Sequence, residues 1–374
     1  MPEKSVLIAA FSGRALASAA YRAGYAPLVA DMFADADTRN VATAWRQVEG
    51  ALTQGFPPDA LIEALAGLAA GCSSAGLVYG AGFEATPDVL AAVAERWAVL
   101  GNPPEVVARV KAPEAFADAC AKLGVPHPEI SLKIPDAPDG WLQKQSGGAG
   151  GAHIGLCTEI VSVASPASVY FQRKASGRAV SALFVAARDT PRIIGFSQQW
   201  CAPSPQEPFR FGGAVRPARI SSQIETQLTE AVHAMVCEFG LIGLCSADFL
   251  VDDGGGWWLL EINPRPSATL DIFDSDAHPL FALHMAAVRG EALPTISRLK
   301  GAAAMQILYV LHAKCTMPNM QFPAWIADRP PPGTRLEANA PLCTVLAYGK
   351  NTCEVTKKCA ERAVKWLATV EEDG

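Results

Sequence analysis

The pattern of apolar and polar positions changes its period along the first hundred residues. Short apolar runs at 5–10, 27–31 and 76–79 predict buried strands, and longer Ala-rich segments at 14–23 and 59–70 predict helices between them. Strands that alternate with helices in this way favour a parallel, Rossmann-like sheet and a mixed α/β class.

Polar residues follow the predicted strands of this first unit. Ser12 and Arg14 come after the first strand, Asp31 ends the second, and Glu84 comes after the third. The carboxyl ends of parallel strands lie at one edge of an open sheet, where small ligands bind. We therefore take Ser12, Arg14 and Glu84 as candidate substrate contacts, although turn formation or surface exposure would explain them equally well.

A second unit begins after Leu-Gly-Asn-Pro-Pro at 100–104, which interrupts regular structure. A strand predicted at 141–145 runs into the loop Ser-Gly-Gly-Ala-Gly-Gly at 146–151. The glycines leave backbone N–H groups free to wrap an anion, and Lys111 and Lys144 could straddle a polyphosphate beside them. The alternative is a flexible connector with two surface lysines.

Apolar spacing predicts further strands and helices, which are expected to form two lobes with a crevice between them. Strands are predicted at 169–174 and 179–187, and amphipathic helices at 113–123 and 222–239, each helix ending at a glycine. The chain is expected to pass into a second lobe through the two strands.

An acidic, glycine-rich turn then joins two apolar runs and predicts a β-hairpin. Pairing about a centre at residues 254 and 255 sets Asp248 opposite Glu261, with Asn263 on the same face. Opposed carboxylates repel, so a divalent cation between them is favoured, and an all-oxygen donor set suits Mg²⁺. The alternative is a solvated hairpin face, but acids are depleted from strands and these lie among apolar residues.

Charged residues continue beyond the hairpin. Pro-Arg-Pro at 264–266 holds Arg265 in a rigid turn next to the predicted ligands. Asp271, Asp274 and Asp276 follow, and for them capping of the next helix is favoured over binding of an amine.

Length and composition restrict the class of protein. A chain of 374 residues predicts two or three domains, and 50% hydrophobic with 18% charged residues indicates a compact enzyme. A formal net charge of −6 without a basic stripe argues against nucleic acid and membrane partners, and the cytoplasm is the expected location. The ten cysteines form no C-x-x-C pair, so zinc is not expected.

Taken in order, Lys111, Lys144 with its glycine loop, the Gln172 strand, Asp248 and Glu-Ile-Asn-Pro-Arg at 261–265 resemble the ATP-grasp superfamily over nearly the whole chain. The Gly-Phe-Glu segment ending at Glu84 and the segment at 325–333 are similar to biotin-carboxylase-related ATP-grasp ligases associated with one-carbon (methanofuran- or methylofuran-type) cofactor synthesis. The resemblance implies an N-terminal pre-ATP-grasp domain at 1–102, an ATP-grasp domain at 103–298 with lobes at 103–175 and 176–298, and a C-terminal subdomain at 299–374.

The resemblance also implies a role for each matching residue. Lys111 and Lys144 would contact ATP phosphates, the glycine loop would fold over them, and Arg265 would face the transferred phosphoryl group as the catalytic residue. Asp248, Glu261 and Asn263 would hold one or two Mg²⁺ ions, with Mn²⁺ as a substitute. The complete set implied to bind the nucleotide is Lys111, Lys144, Gly147, Gly148, Gly150, Gly151, Gln172, Arg173 and Lys174. Two departures concern the adenine side, where Gln145 replaces a common Pro and Gln172 replaces a Glu of some relatives.

The activity implied is an ATP-dependent carboxylate-amine ligation through an acyl phosphate, releasing ADP and phosphate. The expected partners are a small-molecule carboxylate and an amine, and a homodimer is compatible with the family. A small-molecule kinase and a non-catalytic nucleotide sensor stay open as alternatives, whereas a biotin-dependent carboxylase is less favoured by the modest length.

Overall fold

The computed structural model describes residues 4–157, 169–187, 190–297, 299–310 and 315–373. Within these residues the strands form four sheets, one of them parallel and the others antiparallel, with helices packed against them. The predicted mixed α/β class is thereby confirmed. No helix in the described part of the chain is long and apolar enough to cross a membrane.

The N-terminal unit is the predicted parallel sheet. Its strands are β1 (Lys4–Ala10), β2 (Tyr25–Asp31), β3 (Ala44–Gln47) and β4 (Ser74–Tyr79), in the order β3-β2-β1-β4. The accompanying helices are α1 (Arg14–Arg22), α2 (Ala36–Val41), α3 (Pro58–Ala69) and α4 (Pro87–Ala94). Because helices cover this sheet, β2 is buried along its whole length, which explains its continuous apolar run.

The next unit supplies one side of the crevice. Helices α5 (Pro104–Lys111) and α6 (Pro113–Leu123) precede a small antiparallel sheet. Its strands are β5 (Ile130–Ser131), β6 (Trp141–Gln145), β7 (Ile154–Leu156) and β8 (Val169–Arg173), in the order β5-β8-β6-β7. Lys111 is therefore the last residue of α5, and Lys144 lies inside β6.

A large antiparallel sheet forms the other side. It contains β9 (Arg178–Ala187), β10 (Thr190–Cys201), β11 (Phe211–Arg216), β12 (Gly243–Val251) and β13 (Trp257–Asn263), and α7 (Ser222–Phe239) covers one face. The prediction for α7 is confirmed, and Gly240 ends it in the left-handed conformation. Two helices follow the hairpin, α8 (Leu270–Phe273) and α9 (Leu280–Val288).

The C-terminal residues extend the same sheet and also have a core of their own. The strands β14 (Ala302–Tyr309), β16 (Ile326–Ala327) and β18 (Pro341–Gly349) continue the sheet beyond β11. A separate pair is formed by β15 (Cys315–Thr316) and β17 (Arg335–Leu336), and α10 (Thr352–Asp373) packs over β14 and β18. The domain limits predicted from the sequence stay a prediction, since the sheet crosses the limit at 298.

Candidate active site

The hairpin formed by β12 and β13 has the predicted pairing at its acidic residues. Asp248 lies opposite Glu261, and Ser246 lies opposite Asn263. The apolar residues that alternate with them face the core beneath α7. The oxygen-bearing side chains consequently share the other face, which looks into the crevice.

Near the turn of the hairpin, the strand pairing is shifted by one residue from the prediction. Val251 pairs with Trp257 rather than with Trp258, so the turn is centred on Gly254 rather than between Gly254 and Gly255. One extra residue, Leu260, bulges from β13 and restores the predicted register at Glu261. Without this bulge, strict alternation after the buried Leu259 would turn Glu261 towards the core, whereas with it both Leu260 and Glu261 line the crevice.

A network of hydrogen bonds joins the acidic residues to Lys111. Asn263 Nδ2 donates to Asp248 Oδ2 at 3.1 Å and to Glu261 Oε1 at 3.5 Å. Lys111 Nζ donates to Asn263 Oδ1 at 2.9 Å and to Glu261 Oε2 at 3.1 Å. The end of α5 thus sets an ammonium group against the oxygen face of the hairpin.

The two opposed carboxylates lie in unlike electrostatic environments. Burial raises the pKa of Asp248 to about 6, and the negative charge of Glu261 acts in the same direction. Burial also acts to raise the pKa of Glu261, but the charges of Lys111 and Lys144 outweigh it and hold this pKa well below its usual value. Glu261 is therefore the firmly ionised member of the pair.

These residues fit a magnesium ion. Asp248 Oδ1 is buried and has no hydrogen-bond partner among the described residues. An unsatisfied buried polar atom costs about 1–3 kcal/mol, which a bound cation would relieve. The carboxylate oxygens of Asp248 and Glu261, with the Asn263 amide oxygen that accepts from Lys111 in this structure, make up the kind of donor set that Mg²⁺ prefers.

Lys144 approaches the same region from the small sheet. It is buried, its Nζ donates to Gln172 Oε1 at 3.2 Å, and it lies 5.7 Å from the centre of the Tyr170 ring. Burial acts to lower the pKa of Lys144, but Tyr170 and Glu261 outweigh it and raise this pKa. Gln172 Nε2 is buried without a partner in the described structure, so this amide retains a free donor.

The remaining residues predicted on the adenine side lie at the surface. Arg173 and Lys174 have exposed side chains, and the Arg173 guanidinium lies 5.0 Å from the centre of the Trp141 ring. Neither lines the crevice. An adenine-binding role for residues 172–174 stays a prediction.

The glycine loop is packed too closely for side chains at its start. A Cβ on Gly147 would lie 2.1 Å from the backbone oxygen of Glu84, and Gly147 also has a φ of +71°. A Cβ on Gly148 would lie 2.1 Å from His153 Cγ. Close approach, and at Gly147 also the left-handed backbone, therefore requires glycine here.

The second half of the loop contacts the large sheet. Gly150 accepts a hydrogen bond at 2.8 Å from the N–H of Phe211, at the start of β11. A Cβ on Gly151 would lie 2.0 Å from the backbone oxygen of Phe209. The loop thus spans from the N-terminal unit to the large sheet and covers the crevice.

A narrow cleft lies under this loop, with about 30 Å³ of space for the centres of water-sized molecules. Its walls combine apolar residues from α5 and α6 with the charged residues described above. The lining residues are Val110, Lys111, Pro113, Phe116, His127, Ile130, Gln145, Gly147, Gly148, His153, Tyr170, Leu260 and Glu261.

His153 lines this cleft, although it was not predicted from the sequence as a site residue. Its Nδ1 is buried with no partner among the described residues. Burial and the charge of Lys144 lower its pKa to about 4, so the ring is neutral near pH 7. Its position directly after the glycine loop was the only available signal.

Arg265 and Glu84 form a buried ion pair beside the hairpin. Arg265 Nε donates to Glu84 Oε1 at 2.6 Å, and the backbone N–H groups of Gly82 and Phe83 donate to Glu84 Oε2. Burial acts to raise the pKa of Glu84, but the charges of Arg265 and Lys111 outweigh it and lower this pKa. The predicted catalytic residue and one predicted substrate residue are therefore in direct contact.

Asn102 fixes the backbone that carries Arg265. Its Nδ2 donates to the carbonyls of Pro264 at 2.9 Å and Ile242 at 3.0 Å, and its Oδ1 accepts from the Ile242 N–H at 2.8 Å. Tyr79 Oη also donates to the Pro264 carbonyl at 3.2 Å. From the sequence this Asn-Pro segment is predicted only as a boundary, because nothing local shows that its amide reaches the hairpin.

Ser12 and Arg14 lie in a neighbouring cluster rather than against Arg265. Arg14 donates to Asp271 and to Asp328, and Ser12 Oγ donates to Asp328 Oδ1 at 3.2 Å. Asp274 Oδ1 accepts from the N–H of Leu280 at 2.7 Å, which confirms the predicted capping of the next helix for this aspartate. The role of Ser12 and Arg14 in substrate binding stays a prediction.

Known proteins share this fold at low sequence identity. Residues 113–269 match the family model of the ATP-grasp domain, and no curated protein matches the chain. Pyruvate carboxylase from Rhizobium etli is 15% identical with a TM-score of 0.71 over 97% of this chain, which spans only 37% of that protein.

Two further structures match over most of both chains. The biotin carboxylase domain of Hydrogenobacter thermophilus 2-oxoglutarate carboxylase, a dimer determined with MgADP and bicarbonate, is 14% identical with a TM-score of 0.73, covering 99% of this chain and 89% of that one. N5-carboxyaminoimidazole ribonucleotide synthetase from Thermotoga maritima is 13% identical with a TM-score of 0.64, covering 97% and 98%. The chain therefore has the ATP-grasp fold, and residues 113–269 match its ATP-grasp domain.

Proposed function

We propose that the protein is an ATP- and Mg²⁺-dependent ligase that joins a carboxylate to an amine and releases ADP and phosphate. One observation carries this proposal: the hairpin residue Glu261 is bonded to the ammonium group of Lys111 and lies under the charge of Lys144, and Lys111 and Glu261 line a cleft beneath a glycine loop. This arrangement suits a polyphosphate accompanied by a divalent cation.

The charges of the cleft suit phosphoryl transfer. Mg²⁺ held by Asp248, Glu261 and Asn263 would supply positive charge against the nucleotide phosphates. Lys111 lies at hydrogen-bond distance from two of these residues, and Lys144 stays protonated through its raised pKa. Both ammonium groups are thus placed to offset the charge that develops on the transferred group.

Arg265 would orient the carboxylate that receives the phosphoryl group. Its Nε is held by Glu84 and its Nη1 by the Pro266 carbonyl at 3.2 Å, so the guanidinium is fixed before any substrate binds. A preorganised cation needs little rearrangement when negative charge develops beside it. Glu84 is therefore a positioning residue in this proposal.

The glycine loop would exclude water from the acyl phosphate. It contacts Glu84 on one side and the Phe209 to Phe211 segment on the other, so it closes the cleft over the reacting groups. Water exclusion matters because water would otherwise hydrolyse the acyl phosphate before the amine displaces phosphate from it.

The finer assignment rests on sequence motifs. The Gly-Phe-Glu segment and residues 325–333 support an amino-acid-type ligation in one-carbon cofactor synthesis. A homodimer in the cytoplasm, and replacement of Mg²⁺ by Mn²⁺, belong to the same proposal.

Hydroxylamine trapping tests the reaction class. The enzyme is incubated with ATP, Mg²⁺, hydroxylamine and a panel of carboxylates, with bicarbonate included because one structural neighbour was determined with it. We expect ADP together with a hydroxamate from the correct carboxylate. Glu261→Gln should lower the rate about 100-fold, whereas Asp253→Asn, at a 99% exposed side chain of the same hairpin, should leave it unchanged.

The alternatives give different products. ADP with a stable phosphate ester and no hydroxamate would identify a kinase. Binding of ADP without turnover over the whole panel would identify a nucleotide sensor, and AMP as product would contradict an acyl phosphate.

A further inference from the structure

Lys111 lies between the hairpin oxygens and the glycine loop. Its Nζ donates to Asn263 Oδ1 at 2.9 Å and to Glu261 Oε2 at 3.1 Å. Its backbone carbonyl accepts a hydrogen bond at 2.7 Å from the hydroxyl of Ser146, the residue at which the loop begins. One residue therefore links the oxygens proposed to hold Mg²⁺ to the loop proposed to cover the nucleotide.

The local chain fixes the position of this lysine. α5 ends at Lys111 because Pro113 begins the next helix, and Ala112 between them has an extended backbone. The Lys111 side chain is only 6% exposed, and the cleft that it lines with Glu261 is narrow. The ammonium group is therefore held against the hairpin, with little room for a second cation beside it.

A divalent ion would compete with this ammonium group for the same oxygens. Glu261 Oε2 and Asn263 Oδ1 both accept hydrogen bonds from Lys111, and both belong to the side chains proposed to hold Mg²⁺. An ion bound to these oxygens at the short distance usual for Mg²⁺ would lie next to a positive charge, and like charges repel.

The charges around the hairpin balance without a divalent ion. The carboxylates are those of Asp248 and Glu261. The ammonium groups are those of Lys111 and Lys144, and both act to lower the pKa of Glu261. The neighbouring ion pair of Arg265 adds no net charge.

A divalent ion bound alone would therefore leave excess positive charge in a narrow cleft, where water screens it poorly. A polyphosphate bound with the ion supplies the missing negative charge. The same phosphates attract the ammonium group of Lys111 and so free the oxygens that it holds.

We propose that Lys111 sets the order of binding: it competes with Mg²⁺ for Glu261 and Asn263, and a nucleotide relieves this competition by drawing its ammonium group onto the phosphates. This inference rests on the proposed function, because it assumes that the hairpin holds the metal. Metal and nucleotide then bind cooperatively, and each raises the affinity for the other by the same factor. The hydrogen bond from Ser146 extends this coupling to the glycine loop.

Metal titrations without turnover test the order of binding. The affinity for Mn²⁺ alone is measured by electron paramagnetic resonance of the free ion, and the affinity for ADP is measured by calorimetry with and without Mn²⁺. Lys111→Met should bind Mn²⁺ alone about tenfold more tightly than the wild-type protein does. The gain in ADP affinity on addition of Mn²⁺ should shrink by a similar factor, although the variant binds ADP more weakly.

Two further variants serve as controls. Lys111→Arg keeps the positive charge, so its affinity for Mn²⁺ alone should stay within about threefold of the wild-type value. Lys357→Met removes a lysine that is 79% exposed on α10 and should change neither affinity. Thermal unfolding of each variant shows that it is folded.

Three outcomes would overturn the proposal. Lys111→Met could bind Mn²⁺ alone no more tightly than wild type, which would leave Lys111 as a phosphate contact only. Lys111→Arg could behave like Lys111→Met, or the wild-type protein could show no cooperativity between Mn²⁺ and ADP.

The ligase proposal fails separately. The titrations contain neither ATP nor a carboxylate, so hydroxamate formation does not enter them. Hydroxamate formation with an unchanged metal affinity in Lys111→Met would contradict the order of binding alone. The expected titrations without any hydroxamate would contradict the ligase alone.

Discussion

At the scale of residues, the ion pair between Arg265 and Glu84 joins the ATP-grasp domain to the N-terminal unit. Both side chains are buried, at 8% and 3% exposure, and each is held by further hydrogen bonds. A buried ion pair contributes little net stability, but removal of one partner leaves an uncompensated charge. The role of the ion pair is therefore to fix the position of the Arg265 guanidinium rather than to stabilise the fold.

Arg265→Met should therefore destabilise the protein by about 3–5 kcal/mol in denaturant unfolding. The double variant Glu84→Gln/Arg265→Met should recover a large part of this loss, since neither charge then stays buried alone. Additive effects of the two substitutions would show that the residues are not coupled.

Asp35 gives a prediction for pH dependence. Burial raises the pKa of Asp35 above its ordinary value, and Asp328, Asp37 and Asp31 add to this, while Arg14 opposes it. The folded protein therefore retains a proton that the unfolded chain releases near pH 4, and this group makes folding less favourable as the pH rises through that window. The difference in Tm between Asp35→Asn and wild type should grow from pH 4 towards pH 7, and a constant difference would contradict a raised pKa of Asp35.

At the scale of elements, the glycine loop and the hairpin are shaped by close packing. The bulge at Leu260 turns Glu261 into the crevice, and the loop fits only where side chains are missing. The pairing of Asp248 with Glu261 and the position of the glycine loop are local in sequence, which is why both could be predicted. The bulge at Leu260 could not be predicted, because it depends on how β13 meets the core.

Gly148→Ala tests the loop without a change of backbone preference, since Gly148 does not have a positive φ. The added Cβ would meet His153 Cγ at 2.1 Å, so the loop should move away from the cleft. We expect ADP affinity to fall at least tenfold, about 1.4 kcal/mol, as measured by calorimetry in the presence of Mg²⁺.

Gly67→Ala is the matched control for this substitution. Gly67 lies inside α3 with nothing within 4 Å of an added Cβ. Alanine there should leave ADP affinity unchanged and stabilise the protein by about 0.5–1 kcal/mol. Equal ADP affinity of Gly148→Ala and wild type would show that the loop does not touch the nucleotide.

At the scale of the whole molecule, long-range contacts complete the candidate site. Arg14 and Asp328 are 314 positions apart, and Asn102 reaches the Pro264 carbonyl across 162 positions. The strands of the parallel sheet, the two lysines and the pairing of the hairpin carboxylates follow from local patterns. The partners of Asn102 and the convergence of aspartates around Arg14 do not, because no periodicity shows which distant segments meet.

Joint binding of Mg²⁺ and a nucleotide at the hairpin is tested by calorimetry with ADP, with and without Mg²⁺. We expect at least tenfold tighter ADP binding to the wild-type protein when Mg²⁺ is present, and loss of this difference in Glu261→Gln. Equal ADP affinity of the wild-type protein with and without Mg²⁺ would contradict it.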